Sequence, residues 1–400
     1  MSSPIPAPPR SLVFLLAAAV GITAANLYYA QPLVAMISHA LGLAPEAAGL
    51  VVTFTQIGYG LGVLMVVPLG DMLENKKLIL TMIALTVLGL LGLAFATSII
   101  PYFAAAFATG LGASTVQIIV PYSADLVPEH KRGEIVGSLM SGLMIGIMLS
   151  RPVASFLTDL FSWHAVFVVS GALMLLLAFM LHRVLPPRRP KQQTPLSYPH
   201  LLKSMLKLMV TVKVLRRRAI YQAFLFGAFC LFWTASPLLL AGPDFQFSQI
   251  KIAIFALVGV AGAVSAPFAG RAADRGHGQA ATALALLGSS ISFGLGLLFE
   301  AGSLMALLAL VLSAILLDAG VSANLVLGQR AIFSLQPELR GRLNALYIAT
   351  IFVGGASGSA LAAWSYAKGG WHLTALCGFA MPICAFLYFL TERPRLTRGS

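Results

Sequence analysis

Runs of about twenty apolar residues, separated by short polar stretches, recur along the whole chain. They lie near 11–37, 46–68, 78–97, 101–125, 134–158, 164–182, 218–240, 249–270, 279–299, 303–328, 343–366 and 371–390. At 1.5 Å per residue, a helix of that length crosses the roughly 30 Å hydrocarbon core of a bilayer. A membrane barrel would instead show segments of about ten residues with alternating polarity. Lipid admits only helices and closed barrels, because the backbone must satisfy its own polar groups there. The pattern therefore predicts an all-α integral membrane protein with 12 transmembrane helices, numbered here as spans 1 to 12.

The polar interruptions divide the chain further. Residues 1–10, with four prolines, form an N-terminal tail, and 392–400 a C-terminal one. Two six-helix halves, 11–182 and 218–391, flank a linker at 183–217 that opens with the Pro-rich basic stretch HRVLPPRRPKQQTPLSYP. Within the linker, Leu201, Leu202, Met205, Leu208, Met209 and Val212 recur at helical spacing, with Lys203, Lys207 and Lys213 on the other face. That predicts a short basic amphipathic helix lying on the inner leaflet, a solvated linker helix being the other reading.

The halves repeat each other. PLGDMLENKK follows span 2 and FAGRAADRGHG follows span 8, which sets Asp71 and Asp274 203 residues apart. PEHKRGEIVG and PELRGRLNAL follow spans 4 and 10, with Pro128 and Pro337 209 apart, and Pro32 and Pro237 in spans 1 and 7 are 205 apart. Nearly one offset for three landmarks indicates two six-helix parallel repeats, an architecture that places a site between the halves near the bilayer midplane.

Composition agrees. Charged residues make up 10% of the chain and apolar ones 58%, with mean hydropathy +0.89, where a soluble domain is about 25% charged. The net charge of +13 would suggest nucleic acid, but its distribution argues otherwise. Of 26 Lys and Arg, all but Arg151, Lys251 and Lys368 fall in the tails, the linker and alternate loops. By the positive-inside rule those segments and both termini are cytoplasmic. The expectation is a multi-pass protein of the cell inner (plasma) membrane, its basic face touching anionic lipid, with no nucleic-acid partner. Span 1 is kept as a helix, since cleaving it as a leader would strand the following loop on the wrong side. Cys230, Cys377 and Cys384 all fall in spans and read as small core residues.

Two ionisable side chains fall within spans, Arg151 in span 5 and Asp318 in span 10. Such groups are costly in lipid and normally face a cavity or a partner. Both are expected to line a central cavity, one from each half: Asp318 as a carboxyl that takes up and releases a proton, Arg151 as a ligand for an anionic group or the neutraliser of Asp318. A permanent salt bridge is the structural alternative. Counted from Glu134, Arg151 lies about 25 Å along its helix, in the outer half of the membrane and within snorkelling reach of its outer surface.

These features resemble the major facilitator superfamily over essentially the whole chain. That family's loop after span 2 reads roughly G-x-L-x-D-R-x-G-R-R/K. Asp71 matches its acid and Lys76 and Lys77 its terminal cations, whereas Val67, Met72 and Glu74 depart from it. In the second copy Gly270, Asp274 and Arg275 match. The resemblance implies a cytoplasmic latch in which Asp71 meets helix ends of the other half and Asp125 serves the loop cations. Span 5 carries Gly137, Gly146, Ser150, Arg151, Ala154 and Ser155 where antiporters of the family have a glycine-rich motif, with Arg151 in place of its proline. NLYYAQP in span 1 (Asn26, Tyr28, Tyr29, Gln31) is similar to a segment of the drug:proton antiporter-like branch. Because spans 1, 4, 7 and 10 line the cavity in that fold, Gln117, Gln222, Trp233, Asn324 and Gln329 join the candidates. The branch's usual Arg in span 4 is absent from FAAAFATGLGAS.

The resemblance implies a secondary active transporter using alternating access, with proton-coupled efflux of small amphipathic compounds (drugs, sugars or metabolites) as the leading expectation. Import or exchange of an organic anion on Arg151 is the alternative, and a non-transporting receptor or scaffold the third. No HExxH, G-x-S-x-G or Walker motif is present, so no enzyme, no resident cofactor and no metal is expected, and coupling falls to a proton gradient. A monomer is expected.

Overall fold

A computed structural model describes residues 10–189, 197–295, 297–335 and 339–392. Among these, every regular element is helical. The N-terminal tail before Arg10, the middle of the linker, Pro337 and the Arg393–Arg398 tail lie outside the described residues.

Span 1 is not one helix. It runs as α1 (Arg10–Ala25), loosens over residues 26–30, passes a 3₁₀ turn at Gln31–Leu33 and resumes as α2 (Val34–Ala40). Pro32 contributes no N–H, and the segment uses tighter bonds such as Tyr28 N to Ala25 O and Gln31 N to Tyr28 O. Next come α3 (Leu50–Met65), α4 (Asn75–Phe95), and span 4 as α5 (Ile99–Ala113) plus α6 (Val116–Ala124). Then follow α7 (Glu129–Leu160) and α8 (Trp163–Val184).

After the linker helix α9 (Tyr198–Thr211) comes α10 (Lys213–Ala241). Span 8 is divided into α11 (Gln249–Ala256), α12 (Gly259–Ala263) and α13 (Ser265–Asp274). The remaining elements are α14 (Gly278–Leu295), α15 (Leu304–Phe333) and α16 (Arg340–Leu390). Among the described residues ten segments, α16 counted once, are long and apolar enough to span a bilayer, and the shorter Ser11–Ala25 is also apolar. At 51 residues α16 would extend about 76 Å unbroken. It breaks at Gly369 and Gly370, the latter at φ 57°, a conformation that suits glycine. Divided there, and with span 1 included, the spans number twelve. The continuous helices expected for spans 1, 4 and 8 are the part of the pattern that needs correcting.

The pairing of helices displays the duplication. In the first repeat α1 packs on α7, α3 on α5 and α4 on α8; in the second, α10 packs on α16, α12 and α13 on α15, and α14 on α16. Glycines set the closeness. A Cβ on Gly146 would overlap the Gly21 carbonyl across α1 and α7, and one on Gly358 would overlap that of Gly227 across α10 and α16, the small-residue contacts by which helices approach in lipid. Of the span 5 glycines, Gly146 does this work; Gly137 has open space around it.

The buried apolar residues fall into two clusters, one drawn mainly from residues 12–185 and the other mainly from 201–385. The outer surface carries large, exposed apolar side chains such as Phe14, Leu88, Phe95 and Ile100. In water that band would aggregate; in lipid it is solvated. Cys384 is also exposed, so it belongs to this surface and not to the core. On α9, Leu201 and Met205 are buried, and Leu202, Leu208, Met209 and Val212 pack against the second cluster. The amphipathic face is thus turned onto protein, leaving Leu206 and Val210 exposed.

Candidate functional site

A cavity of about 790 Å³ runs between the repeats. Its mouth, ringed by Asp71, Asp125, Arg188, Arg340 and Arg342, opens on the face that carries the basic loops, and its blind end reaches Arg151 and Asp318. The opposite face is shut where α3 meets α16 and α7 meets α11. These two contacts are equivalent under the repeat. Thr53 Oγ1 lies 2.9 Å from Ser359 Oγ there, and Lys368 pairs with Glu46 at 3.2 Å. That ion pair is solvent-exposed and holds little, so Lys368→Ala should change thiol labelling of a Gln249→Cys probe at this face by only about twofold.

Arg151 does not snorkel. It is 3% exposed and points inward from α7. Its Nε donates to Gln31 Oε1 at 2.7 Å, and the guanidinium lies over the rings of Tyr28, Phe229 and Trp233, at 5.4, 4.9 and 4.4 Å from their centroids. The loosened stretch of span 1 is what brings Tyr28 and Gln31 to it. Asp318, 6% exposed on α15, accepts the indole N–H of Trp233 at 2.9 Å. Trp233 therefore joins the two charges, its ring face under one and its N–H on the other. Among the described residues no ion pair within 4 Å links Arg151 to Asp318 directly. Gly259 and Gly262 give the carboxyl its room: a Cβ at Gly259 would come within 2.7 Å of Asp318 Oδ2 and 2.9 Å of the indole. The break in span 8 thus faces Asp318 as the break in span 1 faces Arg151.

The remaining candidates separate into two groups. Gln222 lines the cavity, donates to Val321 O at 3.1 Å and accepts from Asn324 at 2.7 Å. Gln117 donates to Tyr59 Oη at 3.1 Å and accepts from Asn344 of the other repeat at 3.3 Å; Gln329 lines the cavity nearer the mouth. Asn26 is elsewhere: it takes a 2.6 Å bond from Ser170 and donates to Ile22 O and Thr23 O, so it ties α1 to α8. Tyr29 is buried in the first apolar cluster. Neither lines the cavity, because the turns after Ala25 carry their side chains to the side away from it.

Sequence reading missed Tyr59, Phe226, Phe229, Phe352 and Asn344. Tyr59 of the first repeat meets Phe352 of the second with ring centroids 4.2 Å apart, and Phe352 meets Phe226 of its own repeat at 5.1 Å, both pairs tilted. A signal existed: Gln222, Phe226, Phe229 and Trp233 share one face of α10 by helical spacing.

Residues 13–317 and 231–400 match the Major Facilitator Superfamily. The chain belongs to that family. It is 38% identical to the uncharacterized transporter YgaY of Escherichia coli O157:H7 over 377 residues, covering 94% of each chain. Its fold matches a crystal structure of a D-xylose-proton symporter with TM-score 0.75 at 16% identity, covering 96% of this chain and 98% of that one. A POT family transporter in complex with 5-aminolevulinic acid gives TM-score 0.75 at 14% identity, over 98% and 97%. The protein is a multi-pass membrane transporter for a small-molecule substrate.

In this facilitator the expected latch is wired differently. Asp125 pairs with Arg188 at 2.7 Å and Arg132 at 3.8 Å, not with Lys76 or Lys77. Lys77 instead meets Glu74 at 3.6 Å. Arg188 also donates to Asn75 Oδ1 at 3.2 Å, and its carbonyl accepts the Asn75 N–H at 2.9 Å. The linker strand thereby occupies the place that the motif resemblance assigned to the loop lysines. In the second repeat Asp274 binds Arg330 at the end of α15, not Arg275; that pair includes a 3.2 Å contact, and Arg330 also reaches Gly270 O at 2.7 Å. Asp71 stands at the open mouth with Arg340 and Arg342, and among the described residues it forms no ion pair within 4 Å.

Proposed function

We propose that this protein is a proton-coupled secondary transporter of small amphipathic solutes, working by alternating access, with Asp318 as the proton site and the cavity's blind end as the solute site. The observation that supports this most directly is the Arg151–Trp233–Asp318 cluster. It places one buried acid and one buried base on opposite repeats at the bottom of a cavity lined largely by apolar and aromatic side chains. Placing an arginine within a span costs up to about 2.5–3.5 kcal/mol on insertion scales, the value for a helix centre. Arg151 recovers part of this through one charged hydrogen bond and its aromatic neighbours. An arrangement that expensive fits a working site better than a structural tie. Closure opposite the basic loops, with the mouth open at them, corresponds to an inward-open state if the basic loops are cytoplasmic, as the positive-inside rule has it.

The sequence pointed first to efflux, and efflux requires proton and solute to occupy the site in turn. The geometry adds an observation in favour of the organic-anion alternative: both Nη nitrogens of Arg151 lack a protein acceptor among the described residues, and Nη2 is fully buried. An unpaired guanidinium suits an incoming anion. Purified protein in liposomes decides the matter. An imposed pH gradient should drive solute flux, and its sign relative to the proton flow gives the direction. Flux that ignores the gradient would remove proton coupling.

A further inference from the structure

We propose that the blind end of the cavity binds the carboxylate of an amphipathic organic acid on Arg151, and that this anion and a proton on Asp318 are taken up together. The proposal rests on the proton-coupled reading above and deepens it by naming the solute class and the order of loading.

The first argument is how Arg151 is held. Arg217, the other buried arginine, makes four hydrogen bonds through its terminal nitrogens, to Tyr221, Tyr388 O, Thr391 O and Thr391 Oγ1, leaving only Nε without one. Arg151 makes one, through Nε, and among the described residues neither terminal nitrogen has an acceptor, Nη2 being fully buried. Three rings surround it without using its donors. A guanidinium packed among rings with its terminal donors unpaired offers the fork that a carboxylate matches with two parallel hydrogen bonds.

The second argument is the charge balance. Around Arg151 stand Tyr28 and Gln31 from span 1, Phe229, Cys230 and Trp233 from α10, and Asp318 from α15. Around Asp318 stand Trp233, Arg151 and the two glycines of α12. Among the described residues the blind end therefore holds one cationic and one acidic group, and the other charged lining residues sit at the mouth. With the acid ionised, the empty pair is neutral. An anion alone would leave it at minus one, and a proton alone at plus one, in surroundings that screen poorly. Anion and proton together restore neutrality. Each ligand thus improves the site for the other, which is the linkage of a symporter. A cationic solute would meet Arg151 across the same rings, which disfavours it. The solute's apolar body would lie along Phe226, Phe352, Ile348 and Tyr59, all lining the cavity.

The test uses the full chain in lipid nanodiscs. Benzoate and octanoate are compared with benzamide and octanamide, by direct binding at pH 6, 7 and 8. Carboxylates are expected to bind at least tenfold more tightly than the amides at pH 6, with affinity falling up to tenfold per pH unit as Asp318 ionises. Arg151→Gln should equalise acid and amide, and Arg151→Lys should keep part of the preference. Asp318→Asn should bind carboxylate tightly and without pH dependence. Amides binding as well as acids to the wild type, or no carboxylate binding at all, overturns the anion site even if Arg151→Gln does not fold. Carboxylate binding that is flat with pH in the wild type overturns joint loading. pH-driven flux of the amides without acid preference would sink this proposal and leave proton coupling standing. Arg151-dependent acid binding with gradient-indifferent flux would do the reverse.

Discussion

Asp318→Asn should abolish accumulation driven by a pH gradient while leaving solute exchange across the membrane intact. A gradient of two pH units stores about 2.7 kcal/mol per proton, enough for roughly hundredfold accumulation at one proton per solute. The variant should fall to about onefold, because an amide carries no proton between the two faces. Asparagine nearly matches aspartate in volume and can still accept the Trp233 N–H through its Oδ1. The pocket between Gly259, Gly262 and the indole should therefore keep its shape. Counterflow of preloaded solute needs only the loaded carrier to turn over, so it should persist within a few-fold of wild type. Loss of both activities would mean that Asp318 organises the site instead of carrying the proton. Gradient-driven accumulation that survives the substitution would remove it from the coupling mechanism.

The effect is expected to be this large because the second repeat offers little to substitute for Asp318. The other acids lining the cavity, Asp71 and Asp125, stand at its mouth, and Asp125 is already bound by two arginines. Neither lies at the closed end, where Asp318 does. Its carboxyl touches α10 through Trp233 and lies against α12, while Arg151, over the same indole, belongs to the other repeat. Movement of one repeat against the other would part the arginine from the tryptophan and the acid, which stay together in the second repeat. That change alters how strongly the acid's charge is compensated.

How much of this could be read from the chain depends on what kind of signal carries it. Span count, fold and duplication were legible because lipid imposes long apolar runs and the repeat preserves Asp71, Asp274, Pro32 and Pro237 at nearly one offset. Arg151 and Asp318 were legible for the same reason: a charge inside a span is conspicuous. What brings them together was not. The breaks at residues 26–33 and around Gly259 depend on how each chain segment meets its neighbours, and apolar periodicity runs through both without a mark. Asn26 and Tyr29 show the cost. Read as part of a continuous helix and a familiar segment, they joined the cavity list, whereas the unwound turn carries them into contacts with α8 and the first core. The latch failed differently. Loop charges have many partners within reach, and Arg188, from a linker with no periodicity, took Asp125 before Lys76 or Lys77 could. Rocking of the repeats also hangs on backbone contacts that sequence pattern cannot assign to one repeat or to both.

Gly49 is the clearest case, and its substitution should shift the transport cycle without unfolding the protein. It sits just before α3 at the closed face, where a Cβ would overlap the Ser359 carbonyl of α16. Thr53 one turn on bonds both Ser359 Oγ and Ala356 O. This contact joins the two repeats, so crowding can be relieved by separating them. Overpacking of this kind costs about 1–3 kcal/mol, and a bias of that size shifts a two-state equilibrium by about 5- to 150-fold. Gly49→Val should therefore move the population towards the state open on the Glu46 and Lys368 side. Spin labels at Glu46→Cys and Lys368→Cys, in a background without Cys230, Cys377 and Cys384, would report a longer distance in the variant than in the parent. The melting temperature should barely change. Gly358→Val is the control of opposite behaviour. Its Cβ would overlap the Gly227 carbonyl within one repeat, a contact that rocking cannot open, so it should lower the melting temperature without lengthening the label distance. If Gly49→Val instead destabilises the fold as Gly358→Val does, and the distance stays short, then the α3–α16 contact is fixed core and the repeats do not part there.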